Sequence, residues 1–106
     1  MRRGEVYWAD VNSSAGRRPV VVLSRSGAIP VLSRVTVVLV TRTIRDIASE
    51  VRVGRREGLP AESVVSCDNL ATIRKAVLDE MPIGRLSLGK LVELDRALRF
   101  ALGIRA

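Results

Sequence analysis

Two dense runs of β-branched residues constrain what this chain can become: Val20-Val21-Val22-Leu23 after Pro19, and Val35-Thr36-Val37-Val38-Leu39-Val40-Thr41 after Arg34. Valine and threonine lose rotamer freedom in a helix and pack well on a pleated surface, so both runs read as strands. The second is too continuously apolar for a strand with one wet face and belongs in the middle of a sheet. Proline donates no ladder hydrogen bond and is confined to strand starts and edges, so the first strand begins just after Arg18. Arg18 then stands at a loop-to-strand junction.

Shorter stretches complete the pattern. Glu5 to Asp10, with Val6, Tyr7, Trp8 and Ala9, favours a strand, and Asn12-Ser13-Ser14-Ala15-Gly16 a turn or loop after it. Tyr7 and Trp8 fall on opposite strand faces, and Trp8 is placed in the core or a dimer contact rather than stacked on a ligand. Ile44 and Ile47 lie at helical spacing and suggest one short helical turn between Thr41 and Ala48, before Glu50 to Val53 alternates again. Gly58-Leu59-Pro60 marks a loop, and Ser63 to Cys67 and Thr72 to Leu78 read as short strands separated by Asp68-Asn69, exposed at a strand end. Ser87 as N-cap, a stripe of Leu91, Leu94, Leu98 and Ala101 with Val92 and Leu102 beside it, and Gly103 as C-cap define a C-terminal amphipathic helix. Roughly five to seven short strands and one helix predict an α+β fold, a small antiparallel barrel or sheet forming a single domain.

Charge and residue types bound the chemistry. Over 106 residues, Lys and Arg outnumber Asp and Glu by 18 to 11, a formal net charge of +7. That excess favours an anionic partner such as nucleic acid, the more so because most of the cations are arginine, which forks onto phosphate. Arg42, Arg45, Arg52, Arg55 and Arg56 make the middle of the chain basic, either as solvated surface or as a track for nucleic-acid phosphates. The chain has no histidine and one cysteine, Cys67. It therefore lacks a Cys–His pair, an internal disulfide and an ordinary zinc ligand set, and neither metal nor cofactor is expected. Met1-Arg2-Arg3-Gly4-Glu5 leads straight into charged residues and no apolar run approaches a membrane span, so a cytoplasmic protein is expected.

Five segments recur in a recognisable order: RRGEVYWAD near the start, RRPVVVLS from Arg17 to Ser24, VVLVT from Val37 to Thr41, SCDN from Ser66 to Asn69, and a terminal helix ending in ALGI. With these, the chain resembles the MazF/PemK (Kid-like) family of toxin endoribonucleases from type II toxin–antitoxin systems. The resemblance implies an SH3-like β-barrel of the CcdB/PemK plasmid-toxin type and a homodimer. It also implies sequence-specific, metal-independent cleavage of single-stranded RNA, leaving 2′,3′-cyclic phosphate and 5′-hydroxyl ends, and inhibition by an acidic, MazE-like antitoxin. It carries catalytic roles to Arg18 and Thr41 and RNA contacts to Arg17, Arg42, Asp68 and Asn69, the last two near a bound base. The first loop is shorter than the family commonly has, and Leu70-Ala71-Thr72-Ile73-Arg74 stands where many relatives read Ile-Arg-Thr-Ile-Asp, so the RNA motif and antitoxin contacts are not copied over.

In such a reaction the substrate's own 2′-hydroxyl attacks, and the protein orients the chain, stabilises charge on phosphorus oxygens and moves protons. A guanidinium at Arg18 suits charge stabilisation and, beyond that, proton donation; the Thr41 hydroxyl can donate to the same phosphate. The general base stays open among Glu5, Asp68, a water and an arginine. Two other functions fit the same composition: a CcdB-like gyrase-binding toxin with no nuclease activity, and a non-catalytic nucleic-acid-binding domain.

Overall fold

The computed structural model describes residues 1–12 and 16–105. Six strands and one helix follow in order: β1 (Glu5–Asn12), β2 (Gly16–Val22), β3 (Arg34–Thr41), β4 (Glu50–Val53), β5 (Ser63–Arg74), β6 (Gly84–Arg85) and α1 (Leu88–Leu102). Short 3-10 turns at Ile29–Val31, Arg55–Glu57 and Lys75–Val77 connect them. The strands form one antiparallel sheet in the order β4-β5-β3-β2-β1-β6, which places β3 in the interior as its apolar run requires.

The curled sheet carries a core on each face. On one side Val6, Val21, Val38, Val40, Val51 and Val65 pack under α1, whose Leu94 and Ala97 are fully covered and whose Leu91, Leu98 and Ala101 flank them. On the other, Tyr7, Ala9, Val20, Val22, Val35 and Val37 are closed over by Ile29 and Leu78. α1 begins where expected: the Ser87 hydroxyl oxygen accepts a hydrogen bond from the Lys90 backbone N–H at 3.2 Å. It ends at Gly103, whose φ of 69° lets the chain leave without a Cβ clash.

Three expectations are corrected. Arg18 is not at a strand entrance but within β2, opposite Ala9, because Gly16–Pro19 pairs with β1 alone while pairing with β3 starts at Val20. The Trp8 carbonyl accepts from Asp79 on the side away from β2, so Pro19, opposite Trp8, turns its N toward the unpaired side and its missing N–H breaks no ladder. The Asp68-Asn69 pair does not end a strand. β5 runs unbroken through it, as far as Arg74, by means of a register shift against β3 between Val38 and Leu39; Lys75–Val77 is a 3-10 turn rather than a strand, and Leu78 forms only an isolated bridge to Ala9.

The third correction concerns the β3–β4 connection, which contains no helical turn. Side chains take the backbone donors that such a turn would use. The Thr43 N–H donates to Thr41 Oγ1 at 3.2 Å, and the N–H groups of Arg45 and Asp46 both donate to Glu50 Oε1 at 3.0 Å. Asp46 adopts a left-handed φ of 54°, and Arg52 forks onto its carboxylate. The expected loop at 12–16 falls largely outside the described residues.

Candidate active site

Register alone brings Arg18 and Thr41 together. β2 and β3 pair Val20 with Leu39, and extending that antiparallel line by two residues sets Arg18 opposite Thr41. Partners across antiparallel strands point to the same face, as do residues two apart, so Leu39, Ser66 and Glu50, joined in a row through β3, β5 and β4, share that face. The outcome is two adjoining hollows with Arg18, Thr41 and Thr43 in the wall of both.

The larger hollow, about 380 Å³, is bounded by Trp8, Arg17, Pro19, Arg42, Leu59 and Pro60. The smaller, about 190 Å³, is bounded by Leu39, Arg45, Glu50, Ser66 and Asn69. Of the two places expected for Trp8, core or dimer contact, the core is ruled out: Tyr7 is the buried aromatic, while Trp8 is half-buried and lines the hollow with Arg17 and Arg18. The back wall through Leu59 and Pro60 depends on Gly58. Its φ is 88°, and a Cβ there would stand 1.9 Å from the Ile83 carbonyl oxygen.

The predicted site residues are placed unequally. Arg18 is exposed and forms no salt bridge among the described residues, so its guanidinium is available to an anion. Thr41 accepts the Thr43 N–H through its oxygen, which leaves its own hydroxyl proton free to donate into the hollow. Arg42 lines the larger hollow. Arg17 does too, but its guanidinium is bonded to the Asp79 carboxylate, and that hydrogen bond first, then the nearby negative charge, raises its pKa further. Asn69 reaches the smaller hollow and donates from Nδ2 to Ser66 Oγ at 2.8 Å, which leaves its carbonyl oxygen as an acceptor. Asp68 is not in either wall. It accepts a 2.5 Å hydrogen bond from the buried Ser49 hydroxyl and so helps hold the base of the β3–β4 connection.

Residues that the sequence reading did not single out also line the site. Thr43, Ser63 and Ser66 contribute hydroxyls and Glu50 a carboxylate. Glu50 sits in a short alternating strand and is silent as sequence; the signal lies in the two backbone donors it organises. Glu5, a candidate base, is elsewhere: its Oε1 accepts from Arg2 N–H at 2.6 Å and Tyr7 OH at 2.9 Å, and it lines a depression beside the start of α1.

The basic middle segment splits in two. Arg42 and Arg45 belong to the Arg18–Thr41 site, while Arg52, Arg55 and Arg56 line another depression of about 480 Å³ shared with Lys90 and Glu62. That depression is cationic but offers no hydroxyl beside a free guanidinium, so it suits binding rather than catalysis. Among the described residues, no group of three His, Cys, Asp or Glu is placed to hold a metal ion. Among the same residues no helix is long and apolar enough to cross a membrane.

The arrangement is chemically specific. A free guanidinium, a positioned hydroxyl and further arginines surround a space large enough for part of a polynucleotide, with one small polar hollow of nucleobase scale to the side.

Comparison with known proteins gives a consistent answer. Residues 2–102 match the family described as "PemK-like, MazF-like toxin of type II toxin-antitoxin system". The chain is 42% identical over 101 residues to "Probable endoribonuclease MazF5" of Mycobacterium tuberculosis, covering 94% of this chain and 91% of that protein. Among solved structures, "Mycobacterium tuberculosis toxin MazF-mt6" superposes with a TM-score of 0.89 at 35% identity, covering 96% of this chain and 99% of the other. "Endoribonuclease in complex with its cognate antitoxin from Mycobacterial species" superposes with a TM-score of 0.87 at 26% identity, covering 100% and 98%.

Proposed function

This chain belongs to the PemK-like, MazF-like toxin family of type II toxin–antitoxin systems, and from that premise we propose that its Arg18–Thr41 site cleaves single-stranded RNA by attack of a ribose 2′-hydroxyl on the adjacent phosphate. The chain is a toxin endoribonuclease. The observation that carries the assignment of the centre is an unpaired guanidinium opposite a hydroxyl whose proton is free, both in the wall of two joined hollows.

The geometry performs the reaction as follows. The scissile phosphate sits between Arg18 and Thr41. As the 2′-oxygen approaches phosphorus, negative charge builds on the non-bridging oxygens, and Arg18 donates two hydrogen bonds to them while Thr41 donates a third. Fixed donors beside an apolar wall of Trp8, Pro19, Leu59 and Pro60 stabilise that charge without reorganising at the moment of reaction. The P–O5′ bond breaks, leaving a 2′,3′-cyclic phosphate and a 5′-hydroxyl. Arg42 and Arg45 bind flanking phosphates and hold the strand in register. Asn69 and Ser66 offer an amide oxygen and a hydroxyl to the base beside the cut, with Asp68 supporting that wall through Ser49 rather than touching the base. Arg17 acts as a wall residue whose charge is shared with Asp79.

A single 2′-deoxy substitution at the cut nucleotide tests the mechanism, because it removes the nucleophile and leaves the phosphate contacts in place. Cleavage should stop while binding persists; cleavage that survives contradicts 2′-hydroxyl attack.

The toxin acts as a homodimer in the cytoplasm and is held inactive by an acidic antitoxin. Dimerisation is supported by apolar side chains left open on and after α1, among them Val92, Phe100, Leu102 and Ile104. The arginine-lined depressions support the acidic partner, whose affinity should fall as salt rises.

A further inference from the structure

Cyclisation needs a group to accept the 2′-hydroxyl proton, and the chain has no histidine to do so. We propose that Glu50 is that general base. The inference rests on the reading of the Arg18–Thr41 site as the cleaving centre.

Glu50 is the only carboxylate among the residues lining the two hollows. Of the other acids, Asp79 binds Arg17, Asp68 accepts from Ser49 and Asp46 holds Arg52. Asp10 is exposed near Arg17 and lines neither hollow, and Glu62 lines the separate depression beside Arg52. Glu50 is bound differently. Its Oε1 accepts both the Arg45 and the Asp46 N–H, which fixes the carboxylate, while its Oε2 has no hydrogen-bond partner among the described residues. One oxygen is thus an anchor and the other is free.

Its placement also fits the size of the substrate. Glu50 pairs with Ser66, Ser66 with Leu39, and Leu39 with Val20, so Glu50 and the Arg18 strand stand three inter-strand spacings apart. Three spacings are about 14 Å between backbones. Two long side chains reaching inward from the ends of that span leave room for one ribose and its 3′-phosphate. Arg18 then meets the phosphate and Glu50 the sugar hydroxyl.

The step balances. The 2′-O–H proton passes to Glu50 Oε2 as the O2′–P bond forms. The P–O5′ bond breaks with its electron pair on O5′, which takes a proton from water, and protonated Glu50 returns its proton to solvent. Arg18 on β2 and Arg45 on the β3–β4 connection are the charged side chains that share its hollow; Asp46 donates to it through its backbone N–H while its own carboxylate holds Arg52, and Asp68 on β5 binds the preceding Ser49.

The test is Glu50→Gln, whose amide oxygen can still accept the two backbone N–H bonds while the side chain can no longer take a proton. Single-turnover cleavage is followed from acidic to neutral pH, alongside binding of RNA made uncleavable by one 2′-deoxy nucleotide. The amide resonances of Arg45 and Asp46 report whether the connection keeps its shape. The wild type should cleave faster as pH rises, because a general base acts only when deprotonated. E50Q should bind RNA as the wild type does, keep both resonances, lose about 10²–10⁴-fold in kcat, and lose that pH dependence. Wild-type rate and pH profile in E50Q overturn the assignment. A slow E50Q that keeps the wild-type pH profile also overturns it, since that reports a positioning role alone. A wild type that cuts no RNA fails the underlying nuclease reading instead, and is recognised before any variant is compared.

Discussion

Replacing Gly58 with alanine should unfold this toxin at a much lower temperature. Gly58 closes the 3-10 turn after β4 with φ 88° and sits against the chain just before β6. Its hypothetical Cβ would lie 1.9 Å from the Ile83 carbonyl oxygen and 2.6 Å from the carbonyl carbon, both backbone atoms with no rotamer to escape through. The left-handed conformation alone costs an alanine about 1–2 kcal/mol. Separating two packed backbone segments by roughly 1 Å adds strain of about 1–3 kcal/mol, comparable with overpacking a core. Together these remove about 2–5 kcal/mol from a domain whose whole stability is about 5–15 kcal/mol. At about 4–8 °C per kcal/mol for a chain of this size, the midpoint falls by about 8–40 °C. Thermal unfolding followed by circular dichroism measures it, with Gly27→Ala as control because no atom lies within 4 Å of a Cβ there. Equal midpoints for the two variants would refute the close-approach argument. Because Leu59 and Pro60 form the back wall of the larger hollow, G58A should also weaken RNA binding at temperatures where it remains folded.

Other outcomes follow from the same geometry. Arg18→Gln should lower kcat/KM for a short RNA by about 10²–10³-fold, whereas Arg17→Gln should cost less than about tenfold because that guanidinium is already shared with Asp79; steady-state kinetics compare them, and equal losses would contradict the division of roles. Stability should decline in alkali. Burial first, then the neighbouring Asp68 charge, pushes the Cys67 thiol up to about 11, and burial followed by the hydrogen bond to Glu5 pushes Tyr7 up to about 12. Both stay protonated in the folded chain after the unfolded chain has let its protons go. Their contribution is therefore whole below pH 9.0 and is lost as pH rises through 11, with Tyr7 extending the loss above 10.0. Urea unfolding across that range should show stability falling by on the order of 1 kcal/mol per pH unit, and Cys67→Val should flatten its lower part; a flat wild-type profile would contradict burial of these groups. Light scattering should report a dimer, and a Phe100→Glu variant should shift it toward monomer.

The strands and the helix were legible because their residues decide locally. Val35 to Val40 has no good helical alternative, and Ser87 and Gly103 cap α1 through contacts within a few residues. The centre was legible in part, because Arg18 and Thr41 carry a family pattern, but their meeting is a matter of strand register that no local spacing displays. What escaped was decided between distant elements. The connection after Thr41 looked helical from Ile44 and Ile47, yet Glu50 takes its backbone donors from the next strand. Asp68-Asn69 looked like a break between two strands, yet β5 absorbs the pair as an irregularity opposite β3. Trp8 and Tyr7 were separable by strand alternation, but only the curl of the sheet decides that the tyrosine is covered and the tryptophan reaches the hollow.

The most direct measurement of the central claim is cleavage of a mixed-sequence single-stranded RNA by the purified chain and by Arg18→Ala, in EDTA, with the new ends mapped. The account predicts cuts beside one short motif, with 2′,3′-cyclic phosphate and 5′-hydroxyl ends, abolished by the substitution. Intact RNA with the wild type, or cuts by Arg18→Ala as fast as by the wild type, would contradict it.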